Sequence, residues 1–342
     1  MRVDKMLQID SSGLVTSVGL STATAAAAIR AGLSNPQFTR FIDWGGEWIT
    51  AHVVPMHASN PRTKLLQMAA SAINECLASV ERESIKGAAL VLCLPEVSRP
   101  STGDELGEFA IKDIAATLGV EFSTHSSTIS AGRVGGFVGL QRARTLLYEG
   151  KADAVIVIGV DSYVNWPALS NFENRHRLLT SRNSNGFLPG EAAAAVIVSR
   201  PKPGVALRCE GLGFASESAT IDADLPLRAD GLVEAIRAAA RDADCRPQDF
   251  ELRISALSGE HYYFKEAALA VSRLIRDPRS EAELWHPADC VGEVGAAAGP
   301  LAVVIAAVAC AKGYSGASRI LCHLSSDGTE RAAAFFCYGT LQ

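Results

Sequence analysis

Aromatic residues make up only 6% of the 342-residue chain and charged residues only 20%, while 48% are hydrophobic. So little charge on so apolar a chain leaves ample material for a large buried core, and so few aromatics point to close-packed helices and buried strands rather than an aromatic-rich binding surface. Basic blocks are missing too: 32 Lys and Arg stand against 37 Asp and Glu, for a net charge of −5. That balance excludes nucleic acid as a partner, because neutralising phosphates takes clustered Lys and Arg. The eight cysteines (76, 93, 209, 245, 290, 310, 322, 337) form no C-x-x-C pair. Neither a zinc site nor a redox dithiol is expected from such spacing. The thiols read as free and buried, in a reducing, cytoplasmic compartment. No phosphate-loop spacing is present either, and no metal or cofactor is expected. The segment 294–311 runs 18 residues without a charge, but it is mostly Ala and Gly, holds Pro300 and is bracketed by Glu293 and Lys312. It is expected to be a buried central helix, with no membrane partner. The opening Met1-Arg2-Val3-Asp4-Lys5 leads into only a short apolar stretch, unlike a signal peptide.

What is present alternates in period. Strands are expected over 5–18, 88–94, 154–160 and 192–198, and again over 205–215, 252–257, 319–324 and 332–338. Helices are expected near 21–31, over 63–80 and 104–118, from the Gly-rich turn at 132–136 to Gly150, then over 231–243, 263–275 and 295–312. The order repeats after Pro201 and Pro203. An internal duplication is therefore expected, with halves 1–200 and 201–342 packed as one unit, since the linker at 200–204 is too short for independent domains. Strands alternating with helices in this way place helices on both faces of mostly parallel sheets.

Four motifs then give the chain a resemblance. Asn185-Gly186-Phe187-Leu188-Pro189-Gly190-Glu191-Ala192-Ala193 is similar to the Asp-Gly-Phe-Val-x-Gly-Glu-Gly-Ala signature of the β-ketoacyl synthases, the thiolase-fold condensing enzymes. Gly150-Lys151-Ala152-Asp153 before an apolar strand ending at Asp161-Ser162 resembles their Gly-x-Ala-Asp strand. Gly292-Glu293-Val294-Gly295-Ala296-Ala297-Ala298-Gly299 resembles Gly-His-x-x-Gly-Ala-Ala-Gly, and Ser326-Asp327-Gly328-Thr329 sits where their C-terminal Gly-rich loop would be. The resemblance runs in order over nearly the whole chain. It implies an α/β fold, a thiolase-like duplicated αβαβα five-layer sandwich, usually dimeric.

The family's chemistry needs a Cys at a helix N-terminus to accept an acyl group, and two His to assist decarboxylation and stabilise an enolate. Carried over residue by residue, the nucleophile position falls on Arg133, the first His on Ser258 and the second on Glu293. A guanidinium stays protonated and cannot attack a thioester, and an anion at Glu293 has the wrong sign for an enolate. The resemblance therefore implies a degenerate synthase, with an Arg133–Glu293 ion pair across the old pocket. An anion-recognition site at Arg133 is the functional reading of the same pair.

The expected function is binding: a catalytically inactive synthase-like subunit, scaffold or accessory protein. Its partners would be a second copy, an active synthase homologue paired as a chain-length factor is, an acyl carrier protein, or a secretion-system or effector protein. The alternative is an acyltransferase or thioesterase-like enzyme on the same fold, a relative of the 3-oxoacyl-carrier-protein synthases, with Ser130 or Ser258 as nucleophile and His261 as base. The run His261-Tyr262-Tyr263-Phe264 is expected at an interface or over the old entrance, and Arg175, His176 and Arg177 as a solvated loop.

Overall fold

The computed structural model describes residues 5–81, 87–100, 106, 110–275 and 282–341. In chain order the first half carries β1 (Leu7–Thr16), α1 (Thr22–Arg30), β2 (Gln37–Ile42), β3 (Trp48–Ala51), α2 (Pro61–Ala78), β4 (Ala89–Leu94) and α3 (Ala110–Leu118), then β5 (Ser127–Ser130), α4 (Gly135–Tyr148), β6 (Ala154–Ser162), α5 (Trp166–Asn174) and β7 (Glu191–Ser199). The second half carries β8 (Gly204–Ser216), α6 (Asp230–Asp242), β9 (Leu252–Ser255), α7 (His261–Leu274), β10 (Glu283–Trp285), α8 (Ala288–Val291), α9 (Ala298–Ala311), β11 (Arg319–Ser325) and β12 (Glu330–Leu341). Of the helix expected over 104–118, residues 104–105 and 107–109 lie outside the described residues.

The strands pair in the order β5-β4-β6-β7-β1 and, with the same internal arrangement, β10-β9-β11-β12-β8. Among the described residues the two groups pair only where Leu7 meets Cys209 and Gln8 meets Arg208. β4 and β6, parallel neighbours, are buried on both faces, which is why their sequences run apolar without alternation over Ala89–Leu94 and 154–160. Side chains of one face, such as Leu90 and Ile156, pack under α2 and α3. The opposite face, with Val91 and Val157, packs on α4 and α9, which also cover Ile254 and Cys322 of the second group. α6 and the buried face of α7 close the far side over Leu321 and Phe335. The result is helix, sheet, helix, sheet, helix: the α/β five-layer sandwich.

The two central helices approach closely because Gly136 has no side chain; a Cβ there would come within 2.3 Å of Pro300. α9 is the uncharged run 294–311, and it is buried along most of its length. Among the described residues no helix is long and apolar enough to cross a membrane. All eight cysteines are free, and burial pushes the Cys93 and Cys209 thiols up to about 12.

Five elements are absent from the periodic reading: the β2–β3 hairpin, β5, α5, β10 and α8. α5 had a visible start, since the Asn165 side chain caps Ala168 N and Pro167 stands in the first turn.

Candidate functional site

The site lies where both halves turn into their central helices. A single 3-10 turn, Gly132–Val134, precedes α4, and a second, Gly295–Ala297, precedes α9. Each opens on a glycine with φ near +50°, and each has a carboxylate over the position a Cβ would take, Glu96 over Gly132 and Asp161 over Gly295. The duplication thus extends to the turns themselves.

The first turn presents Arg133, only 4% exposed. Its Nε lies 2.8 Å from Glu293 Oε2, an ion pair without the alignment of a hydrogen bond. Its Nη1 donates to Asp327 Oδ1 at 2.8 Å, its Nη2 is 4.0 Å from Glu260 Oε2, and its guanidinium sits 4.8 Å over the Tyr263 ring. Arg177 completes the cluster. It donates through Nε and Nη2 to both oxygens of Glu260 at 2.7 Å, and through Nη2 to Asp327 Oδ1 at 3.0 Å. Tyr263 Oη donates to Asp327 Oδ1 at 2.6 Å. Burial alone would push the Asp327 carboxyl up. Arg133, Arg177 and the Tyr263 hydroxyl outweigh it and hold the group well below the usual carboxylate range. Two guanidinium groups are thus enclosed by three carboxylates.

Glu293 is 1% exposed, with Ser258 Oγ donating to its Oε2 at 2.8 Å and Gly295 N donating to its Oε1 at 2.9 Å. Its own backbone is held by the loop of the Asn185–Ala193 motif: Glu293 N donates to Leu188 O, and Gly190 N to Glu293 O. The same loop fixes the other members. Phe187 N donates to Arg177 O, a Cβ on Gly259 would come 2.5 Å from Gly186 O, and Asn185 Oδ1 accepts from His261 N. This motif is therefore the frame on which the charged side chains are hung.

A second pair lies alongside. Asp161 is fully buried against Arg99, whose guanidinium also sits 4.0 Å over Tyr163; Ala296 N and Ser162 N donate to the same carboxylate. Burial raises the Asp161 carboxyl despite Arg99.

A sequence profile described as "Beta-ketoacyl synthase, N-terminal domain" matches residues 107–203. Over that segment the chain is similar to the β-ketoacyl synthases. No curated protein sequence matches it. Among solved structures, the chain superposes on the ketosynthase ApeO in complex with its chain length factor ApeC from Xenorhabdus doucetiae, with a TM-score of 0.77, 14% identity and 98% of each chain covered. The ishigamide ketosynthase/chain length factor gives 0.77 at 16% identity, over 98% of this chain and 100% of that one. A β-ketoacyl synthase from Burkholderia phymatum STM815 gives 0.73 at 15% identity, over 98% and 100%. At such identities these likenesses establish the fold.

Of the residues expected at the site, Arg133, Ser258 and Glu293 converge. Ser130 is exposed at the end of β5, and no hydrogen bond joins the exposed His261 to Ser258 among the described residues. Arg177 corrects the expectation of a solvated loop: it is 4% exposed, because Glu260 and Asp327 neutralise it, while its neighbours Arg175 and His176 do stay outside. Tyr263, from the aromatic run, packs onto the site itself. Glu260 and Tyr263 were within reach of the sequence, on the same short stretch as Ser258.

Proposed function

We propose that the chain acts by binding, as a non-condensing subunit of a ketosynthase-type assembly. The observation that carries this reading is Arg133: at the position expected to hold the nucleophile stands a buried cation engaged with Glu293 and Asp327. A charge so enclosed neither attacks a thioester nor leaves its carboxylates free to move protons. The shared strand order and paired turns support reading 1–200 and 201–342 as duplicated halves acting as one unit. Two of the structural neighbours are ketosynthases solved with a chain length factor, and pairing of that kind is the role we assign here.

The partner we infer is an active synthase homologue, docked along β5. Among the described residues that strand pairs with β4 on one side and ends the sheet on the other, which leaves its outer edge for another strand. Co-expression with a candidate synthase is expected to yield a stable heterodimer on gel filtration. Thr128→Lys with Ser130→Lys, two exposed β5 positions, is expected to abolish the heterodimer while the far-UV spectrum stays unchanged. Elution of the two parent proteins in separate peaks, with no species containing both, would refute pairing with that synthase.

The alternative, acyl transfer by serine, has one observation in its favour: Ser258 Oγ donates to Glu293. The accepting oxygen, however, is the one that contacts Arg133. Ser130 is hydrogen-bonded to no histidine or carboxylate among the described residues.

A further inference from the structure

The β2–β3 hairpin stands apart from the large sheet as a two-stranded unit, and both of its faces are apolar. The inner face is covered: Ile49 is buried, and Phe41 stacks on Trp166 at 6.0 Å. No described residue covers the outer face. Ile42 lies opposite Trp48 and Phe38 opposite Thr50, so these four share one face, on which Phe38 is 77% and Trp48 52% exposed. Trp44 in the connecting turn is 68% exposed, and Trp166 at the hairpin's flank is 49% exposed. Three of the chain's four tryptophans therefore meet solvent around one small element. A strand pair with one solvated face alternates apolar with polar; apolar residues on both faces are the pattern of a sheet covered twice.

We propose that this face is a self-association surface, covered by the same face of a second copy of the chain. The relief and the charge both fit a copy of itself. Beside the protruding Phe38 and Trp44 lie two hollows, one of about 400 Å³ walled by Trp48 and Leu179, the other of about 250 Å³ walled by His176 and Arg182. Knob and hollow on one surface are what a two-fold contact fills reciprocally. Both signs of charge stand on the patch, Arg40 and Arg182 beside Asp43 and Glu47, none of the four in an ion pair among the described residues, while the buried Glu173 in the second hollow accepts from Trp44 N. A face of single sign would repel its copy; this one can set each charge against its opposite. Large exposed aromatic anchors supply the desolvated centre that such contacts need.

The contact is independent of β5, so the two can be separated. Sedimentation velocity of the purified chain is expected to show a concentration-dependent species of twice the mass. Phe38→Ser with Trp48→Ser is expected to remove it, and Thr128→Lys with Ser130→Lys to leave it in place. A photo-crosslinking residue at Trp44 is expected to join two copies. A parent chain that sediments at the monomer mass at every concentration would overturn the proposal. So would an assembly that survives the hairpin variant, or binding of the parent but not the variant to phosphatidylcholine vesicles without self-association, which would make the face a lipid contact. Unchanged circular dichroism in the variant excludes misfolding as the cause of any loss.

Discussion

Arg133→Met is expected to destabilise the protein by about 3–5 kcal/mol, the range found when one member of a buried charge pair is deleted. The cost comes from what stays behind. Without the guanidinium, Glu293 keeps only Ser258 and Gly295 as partners, and Asp327 depends on Arg177 and Tyr263. Met restores apolar volume but no charge. Adding Glu293→Gln to Arg133→Met removes the stranded anion while keeping an acceptor for Gly295 N. The double variant is therefore expected to recover more than half of the loss. Urea denaturation of parent, single and double variants at neutral pH measures both quantities. A single variant within about 0.5 kcal/mol of the parent, the range of an ordinary surface substitution, would show that the cluster is solvated and not a plug.

Mild acid is expected to weaken the fold through two buried histidines. His52 is enclosed beside Ser17, and burial lowers its ring to about 4. His323, bonded through Nδ1 to Ser255, is lowered to about 3 by burial, with the nearby Arg253 adding to the effect. Both rings are neutral when folded and take a proton near pH 6.5 when unfolded. Below that pH the unfolded chain binds more protons, so stability falls as pH falls, down to the folded values. Each ring contributes about 1.4 kcal/mol per pH unit, or roughly 2 kcal/mol by pH 5. Glu96, Asp161 and Glu266, raised by burial, titrate in the opposite sense, so the histidine contribution is read as a difference. His323→Asn is expected to lose about 2 kcal/mol less than the parent between pH 7 and pH 5 in paired urea titrations. Parallel curves for parent and variant would show that the ring is charged in the fold.

The layers of this protein were legible because burial on both faces leaves an unmistakable pattern. β4 and β6 appear as unbroken apolar runs, and α9 as a helix with no polar side. The hairpin was not legible, since an irregularity between Phe38 and Ile42 breaks the two-residue alternation by which a strand is recognised. β5 and β10, at four and three residues, are too short to show a period. At the site, Arg133, Ser258 and Glu293 could be placed together by resemblance alone. Arg177 could not. Its partners Glu260 and Asp327 lie 83 and 150 residues further along the chain, and a buried arginine is spelled like a solvated one. Only the fold brings the compensating charges to it.

The most direct test of a binding role is the intact mass of the protein after incubation with acyl and malonyl thioesters. An unmodified mass and no condensation product above a protein-free control are expected. An acyl group carried on Ser258 or Ser130, or turnover that Arg133→Met abolishes, would contradict it.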